Sequence, residues 1–213
     1  MPVGVDGSSR VEKPRTKVWR GQTFDDRVLD RRQSLLRAGF ELLGDDGVSG
    51  VTMRAVCRRA ELSPRYFYES FTNTDELVVA VYDACNAELG TAIAAVGSRE
   101  EMSATVAAAL DVAVGFFDAD TRRVRILLRE PLTSQLLTDR RAAVLPDFLT
   151  TLASALSPAA SKAGRTELAL AGSALSGALV SLVLDWTDGR LPVTEKQLAD
   201  YATRLVVATM INL

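Results

Sequence analysis

The chain has 213 residues, enough for one large domain or two smaller ones, and its 47% hydrophobic and 24% charged residues are typical of a globular protein. It contains no histidine, so the most common general base and zinc ligand are missing, which argues against most hydrolase and metalloenzyme functions. We therefore expect no catalytic residue, no metal site and no cofactor.

The net charge of −2 is unevenly distributed along the chain. Residues 1–74 contain 13 Lys and Arg against 10 Asp and Glu, a net charge of +3, whereas residues 75–213 contain 12 against 17, a net charge of −5. This asymmetry indicates a part that faces a polyanion joined to a part with another task. Cys57 and Cys85 lack CxxC spacing, and the first ten residues have no apolar segment typical of a secretory signal. We expect a reduced, cytoplasmic protein.

Residues 1–22 are rich in Gly, Pro, Ser and basic side chains without periodicity, which predicts a disordered basic arm. Such an arm is either a solubilising tail or a source of additional phosphate contacts. From Asp25 onward the hydrophobic residues recur at helical spacing and no alternating strand pattern occurs. The sequence thus predicts an all-α fold, with a three-helix domain over residues 23–73 and a larger helical domain over residues 74–213.

Two short helices joined by a tight turn are predicted between residues 52 and 71. Thr52 is placed to cap the first, and Ser63 to cap the second, which has Pro64 at its first position, where a missing N–H costs nothing. Two such helices form a helix-turn-helix, whose second helix lies in the major groove of DNA. Thr52 either caps only its own helix or also bonds a phosphate, and Arg54, on the outer face, is a candidate phosphate contact.

The second of these helices contains four aromatic residues in six positions. Phe67 and Phe71 are four residues apart, share one helix face and are predicted to fill the small core. Tyr68 is expected at the edge of that face with its hydroxyl towards a phosphate, and Arg65 and Tyr66 on the opposite side towards the bases. The alternative is that all four rings are core and Arg65 only solubilises. The predicted DNA-binding residues are Thr52, Arg54, Ser63, Arg65, Tyr66 and Tyr68.

The run from Leu35 to Asp83 resembles the N-terminal DNA-binding domain of the TetR family of bacterial transcriptional regulators. The apolar first helix, the Thr52-led second helix, the Leu62–Ser63 turn, the Tyr68-x-x-Phe71 pattern and the acidic TDEL start of the fourth helix carry the resemblance. Two positions depart from it: Glu61 stands where the family often has Gly, and Thr74 where it commonly has a phosphate-binding Lys. The resemblance implies a homodimer on double-stranded DNA and a small-molecule effector.

The most apolar segment, from Leu168 to Leu184, has 17 residues without a charge, close to the ~20 that a membrane span needs. We expect instead a helix buried inside the protein or between two subunits. A seam at helical spacing predicts the dimer interface: Leu168, Gly172, Leu175, Leu179, Leu182 and Trp186, completed by Leu198 and Leu205 of the last helix. The alternative is that both helices are core of a single chain.

An effector cavity is expected within residues 77–160, where Phe116 and Phe117 could line it and Arg125 or Arg129 could orient a polar group. The sequence does not identify the effector or its binding residues. The predicted function is a sequence-specific repressor that a small molecule releases from a palindromic operator. The alternatives are a helical ligand-binding or interaction protein that has lost DNA binding and, with less support, an enzyme.

Overall fold

The computed structural model of the protein describes residues 24–144 and 165–211, and within these ranges the chain is helical and contains no strand. The predicted all-α fold class is confirmed, while the predicted basic arm, residues 1–22, lies outside the described residues. The elements are α1 (Phe24–Asp46), a 3-10 turn (Val48–Gly50), α2 (Met53–Ala60), α3 (Pro64–Ser70), α4 (Thr74–Ala94), α5 (Met102–Ala119), α6 (Arg122–Val124), a π turn (Arg125–Arg129), a 3-10 turn (Glu130–Leu132), α7 (135–144), α8 (Arg165–Thr187) and α9 (Glu195–Ile211).

Side-chain caps start two of the N-terminal helices. The Thr52 hydroxyl accepts from the Ala55 N–H at 3.2 Å, as predicted. At α4, Asn73 Oδ1 accepts from the Glu76 N–H at 2.9 Å, and Glu76 Oε2 accepts from the Thr72 N–H at 2.6 Å. Such reciprocal bonds satisfy backbone donors that a helix start leaves unpaired. Ser63 occupies the cap position of α3, but its hydroxyl makes no capping bond, so that part of the prediction is wrong.

The turn between α2 and α3 is closed by Glu61 in the left-handed conformation, with φ 54° and ψ 36°. The N–H of Leu62 donates to Cys57 O at 3.0 Å, and that of Glu61 to Arg58 O at 3.4 Å. These two bonds form a Schellman motif, which reverses the chain within three residues. Glu61 is the one non-glycine residue with positive φ in the described part of the chain, and the left-handed region costs a side chain ~1 kcal/mol.

One hydrophobic core runs through both predicted domains. It begins between α1, α2 and α3, passes along α4 and continues to the π turn and α8. Fully buried members are Leu35, Phe67, Leu77 and Ile126. A second, smaller cluster around Val106 and Val206 joins α5 to α9. The boundary predicted between residues 73 and 74 is therefore crossed by continuous packing, because α4 contacts both α1 and α5.

Three of the described helices, α4, α5 and residues 169–187 of α8, are long and apolar enough to cross a membrane by length and composition alone. For α8 only 11% of that window is buried within the chain, against 28% for each of the other two. Among the described residues, α8 is thus the least covered of the three apolar helices.

Two leucines of the seam predicted on α8 face the core of their own chain. Leu175 and Leu179 pack against the Val106–Val206 cluster, and Leu198 of α9 is 4% exposed. Leu175, Leu179 and Leu198 therefore have packing partners in their own chain, and the dimer interface at this seam stays a prediction. Gly172 is also buried, Leu182, Trp186 and Leu205 are half-buried, and the side chain of Leu168 lies outside the described residues.

Candidate nucleic-acid interface

Helix α3 is held in place by an arginine of α1. Arg32 donates from Nη1 to Ser70 O at 2.7 Å, and its guanidinium carbon lies 4.2 Å from the centroid of the Phe71 ring. The hydrogen bond satisfies a carbonyl at the end of α3, and the cation–π contact covers the ring from outside. A helix of seven residues is too short to be stable by itself, so these tertiary contacts keep it formed.

The aromatic residues of α3 divide between core and surface. Phe67 and Phe71 are 0% and 1% exposed, as predicted, and their ring centroids are 6.0 Å apart. Tyr68 is 60% exposed and meets Phe67 edge to face at 5.5 Å. One edge of the tyrosine ring is thus anchored while most of its surface faces solvent. This arrangement excludes the alternative in which all four rings are core.

Arg65 and Tyr66 do not project equally into solvent. The Arg65 side chain is 83% exposed, and its Nε donates to Glu69 Oε1 at 2.9 Å. Tyr66 is half-buried because the guanidinium of Arg31, on α1, lies 4.5 Å from its ring centroid. One face of the Tyr66 ring is therefore covered by Arg31, and the predicted contact of Tyr66 with the bases stays a prediction.

The other three predicted contacts lie at the exposed starts of α2 and α3. Thr52 and Ser63 precede the two helices, and Arg54 is in the first turn of α2, where it makes no ion pair with any described residue. The helices α2 and α3 pack against each other, so both helix starts belong to one packed unit. Helix N-termini with free N–H groups and an unpaired guanidinium suit phosphate oxygens.

Sequence reasoning missed two charged residues of this surface, Arg31 and Glu69. Oε2 of Glu69 lies 3.8 Å from Nη2 of Arg31, so one carboxylate joins α1 to Arg65 of α3. The four-residue spacing of Arg65 and Glu69 is a helical ion-pair signal that was available in the sequence. No local sequence pattern, by contrast, predicts that Arg31 lies beside Arg65 and Glu69.

A buried carboxylate links this N-terminal region to the rest of the chain. Glu130 is 7% exposed; its Oε2 accepts from the Val48 N–H at 3.1 Å and its Oε1 from Arg125 Nε at 3.0 Å. Arg125 also donates from Nη1 to Asp45 O at 2.6 Å. Pairing and hydrogen bonding offset the cost of burying these charges. Arg125, predicted to orient an effector, instead bonds the C-terminal end of α1.

The other expected effector residues are also occupied. Phe117 is 7% exposed within the main core, and Arg129 forms an ion pair with Asp188. A cleft of about 290 Å³ lies elsewhere, between the 3-10 turn, α7 and α8. Its lining residues are Leu132, Arg141, Gly177, Val180, Ser181, Leu184, Asp185 and Arg190. Nη2 of Arg141 donates to the neutral Ser176 Oγ at 2.7 Å, and Arg141 forms no ion pair with a described carboxylate.

The geometry of α2, the three-residue turn and α3 defines a helix-turn-helix DNA-binding domain, with a hydrophobic plug inside and polar side chains outside. Residues 35–81 match the family model of bacterial regulatory proteins, tetR family. Residues 35–81 are therefore similar to the DNA-binding domain of the TetR family, and the resemblance stated from the sequence is confirmed.

Known proteins agree with this assignment. An HTH-type transcriptional regulator of Haemophilus influenzae is 29% identical over 129 residues, which span 59% of this chain and 63% of that relative's length. The fold is similar to that of the fatty acid degradation regulator FadR from Bacillus halodurans, with a TM-score of 0.69, 15% identity and coverage of 83% of this chain and 94% of that one. FadR from Bacillus subtilis in complex with stearoyl-CoA has a TM-score of 0.69 and 14% identity, covering 83% and 98%. The family and these relatives are transcription regulators, not enzymes.

Proposed function

We propose that this protein is a cytoplasmic, homodimeric transcriptional repressor that binds a palindromic operator and is released by a small-molecule effector. The observation that carries the proposal is α3, whose phenylalanines are buried while Arg65 and Tyr68 face solvent. In this proposal residues 23–73 bind DNA and residues 74–213 bind the effector and the second subunit.

On DNA, each part of the surface has a distinct task. The terminal nitrogens of Arg65 suit the O6 and N7 acceptors of guanine in the major groove. Tyr68 reaches a phosphate with its hydroxyl, while Thr52, Arg54 and Ser63 add phosphate contacts at helix starts. Tyr66, stacked under Arg31, offers a ring edge to a thymine methyl. Thr74 stands where the family commonly has a phosphate-binding Lys, so binding to the DNA phosphates depends more on the remaining contacts.

A binding experiment tests this proposal. Sequences are selected from random duplexes with the wild-type protein, and affinity for the selected and a scrambled duplex is then measured at two salt concentrations. We expect the double variant Arg65→Ala plus Tyr66→Ala to lose discrimination between the two duplexes, whereas the matched charge loss Arg99→Ala, in an exposed loop away from α3, keeps it. Failure of the wild type to enrich any sequence would favour a helical interaction protein without DNA binding.

The dimer interface is proposed on the face of α8 that the chain leaves open. Leu170 is 67% exposed, and Ala174, Gly177 and Ser181 continue an exposed stripe at helical spacing, which borders the cleft beside α8 at Gly177 and Ser181. Tyr201, 52% exposed, adds an aromatic group from α9. Small residues let a partner helix approach closely, and two subunits are needed because one helix-turn-helix buries too little DNA surface for tight specific binding.

Two helical glycines with open space around them make a matched pair for testing this interface. A Cβ added at Gly177 or at Gly115 of α5 would meet nothing within 4 Å. We expect Gly177→Glu to shift the protein from dimer to monomer in sedimentation experiments and to weaken operator binding, while Gly115→Glu changes neither. A Gly177→Glu protein that remains dimeric would place the interface elsewhere.

The effector is proposed to be an amphiphile with an apolar chain and an anionic head, a class that includes acyl-CoA. The cleft beside α8 supports this proposal, because Leu132, Val180 and Leu184 give it an apolar wall, and Arg141 supplies a guanidinium that pairs with no carboxylate among the described residues. The Bacillus subtilis relative crystallised with stearoyl-CoA has the same fold. Long-chain acyl-CoA should lower operator affinity of the wild type, and Arg141→Gln should weaken that response without changing affinity in its absence.

A further inference from the structure

A single carboxylate, Glu69, organises the charged groups of the DNA-reading surface. Its Oε1 accepts from Arg65 Nε at 2.9 Å, and its Oε2 lies 3.8 Å from Arg31, which in turn covers the Tyr66 ring at 4.5 Å. Glu69 is 38% exposed, so this cluster borders solvent on the face that would meet DNA. A negative charge on this face weakens binding to a polyanion such as DNA. We therefore expect Glu69 to have a function within this cluster.

The bonding pattern indicates that role. Glu69 engages Arg65 through Nε, and no described residue bonds the terminal nitrogens of Arg65. Those terminal nitrogens form the edge that can donate two parallel hydrogen bonds to guanine O6 and N7. A guanidinium fixed at Nε keeps this edge pointing outward, whereas an unrestrained arginine can turn to any phosphate along the backbone.

We propose that Glu69 is a specificity-determining residue that positions Arg65 for guanine and limits its contacts with phosphate. This inference rests on the proposed function as a sequence-specific regulator. Phosphates occur at every position of a duplex, so phosphate contacts raise affinity for all sequences alike, and only base contacts discriminate. By repelling phosphate and holding Arg65, Glu69 reduces non-specific affinity more than operator affinity.

The variant Glu69→Gln keeps the size of the side chain and removes its charge. We expect it to bind the scrambled duplex more tightly than the wild type does. The ratio of operator affinity to scrambled-duplex affinity should fall roughly tenfold, which is within the range for the loss of one bidentate base contact. A plot of the logarithm of affinity for the scrambled duplex against the logarithm of salt concentration should become steeper by about one unit, the value for one added phosphate contact. Glu61→Gln is the matched control, because it removes the same charge from the turn before α3, where Glu61 makes no ion pair with any described residue.

A double-mutant comparison separates positioning from a general charge effect. In an Arg65→Lys background the bidentate fork is absent, so adding Glu69→Gln should reduce discrimination no further. The inference is overturned if Glu69→Gln keeps the wild-type ratio, if Glu61→Gln changes that ratio as much, or if the loss persists in the Arg65→Lys background. A wild-type protein without sequence preference would instead overturn the proposed function, and the inference with it. Thermal unfolding of each variant confirms that the domain remains folded.

Discussion

Substituting Gly47 by alanine tests the link between the DNA-binding domain and the rest of the chain. Gly47 follows α1 with φ 76° and ψ −172°, a region that is almost exclusive to glycine, and a side chain there costs about 1–3 kcal/mol. An added Cβ would also lie 2.6 Å from Glu130 Oε1 and 2.9 Å from Arg125 Nη2. Neither atom is free to move, because Glu130 is 7% exposed and bonds both Arg125 and the Val48 N–H.

Displacing Glu130 forfeits at least one charged hydrogen bond, which contributes about 1.5–3 kcal/mol. Together with the backbone strain, Gly47→Ala should lower the free energy of unfolding by about 3–5 kcal/mol, and Tm by roughly 10 °C for a chain of this size. Thermal and urea unfolding measure the effect, at matched protein concentration because dimerisation also shifts apparent stability.

Gly97→Ala is the control, since Gly97 also has positive φ, 68°, but a Cβ there would meet nothing within 4 Å. Only backbone strain remains at this position, so we expect a loss of about 1–2 kcal/mol. In a Glu130→Ala background the cost of Gly47→Ala should fall towards the Gly97 value, because the clashing carboxylate is gone. Equal destabilisation by Gly47→Ala and Gly97→Ala in the wild-type background would refute the reasoning.

Four further predictions follow from single residues. Glu61→Gly should stabilise the protein by about 0.5–1 kcal/mol in thermal unfolding, because it relieves the left-handed strain at the cost of some chain entropy; an unchanged or lower Tm would contradict this. Tyr68→Phe should weaken operator and scrambled duplexes alike by roughly fivefold, the loss of one phosphate hydrogen bond, with Tm unchanged. The Thr72 N–H lowers the pKa of Glu76, so its contribution to stability is present above the ordinary glutamate pKa and is lost as pH falls through the lowered folded-state pKa. The Tm difference between wild type and Glu76→Gln should therefore shrink between pH 6 and pH 3. Burial raises the pKa of the Cys85 thiol to about 12, so iodoacetamide at pH 8 should modify it only after unfolding, as mass spectrometry can show.

Local signals explain why the N-terminal helices were predictable. Thr52 caps α2, a Gly-rich loop ends α1, and the spacing of Phe67 and Phe71 alone determines that they share the buried face. Each of these features depends on residues within about one helical turn. The hydroxyl of Ser63 is the exception, since a cap position can be filled without its hydrogen bond being made.

The partner of an apolar face, by contrast, is not encoded locally. The leucines of α8 have the spacing of a helix-packing seam whether they meet α9 of the same chain or α8 of a second one, and Leu175 and Leu179 take the first option. The contact between Arg31 and Glu69 joins residues 38 positions apart, and 80 positions separate Arg125 from Asp45. Periodicity carries no information about such pairs, so the contacts of Arg31 with Glu69 and of Arg125 with Asp45 escaped sequence analysis.

Helix α1 is the element through which an effector would reach the DNA-reading surface. Its C-terminal end is fixed by Arg125 at Asp45, and Gly44 lets α6 approach so closely that a Cβ would lie 2.4 Å from that of Arg122. About 20 Å further back along the helix, Arg32 holds the last turn of α3. A helix cannot bend easily over this length, so a shift of the π turn must either break the Glu130 contacts or move α3 with α1. An effector that binds the two arrangements with different affinity would therefore change operator binding without touching a DNA-contacting residue.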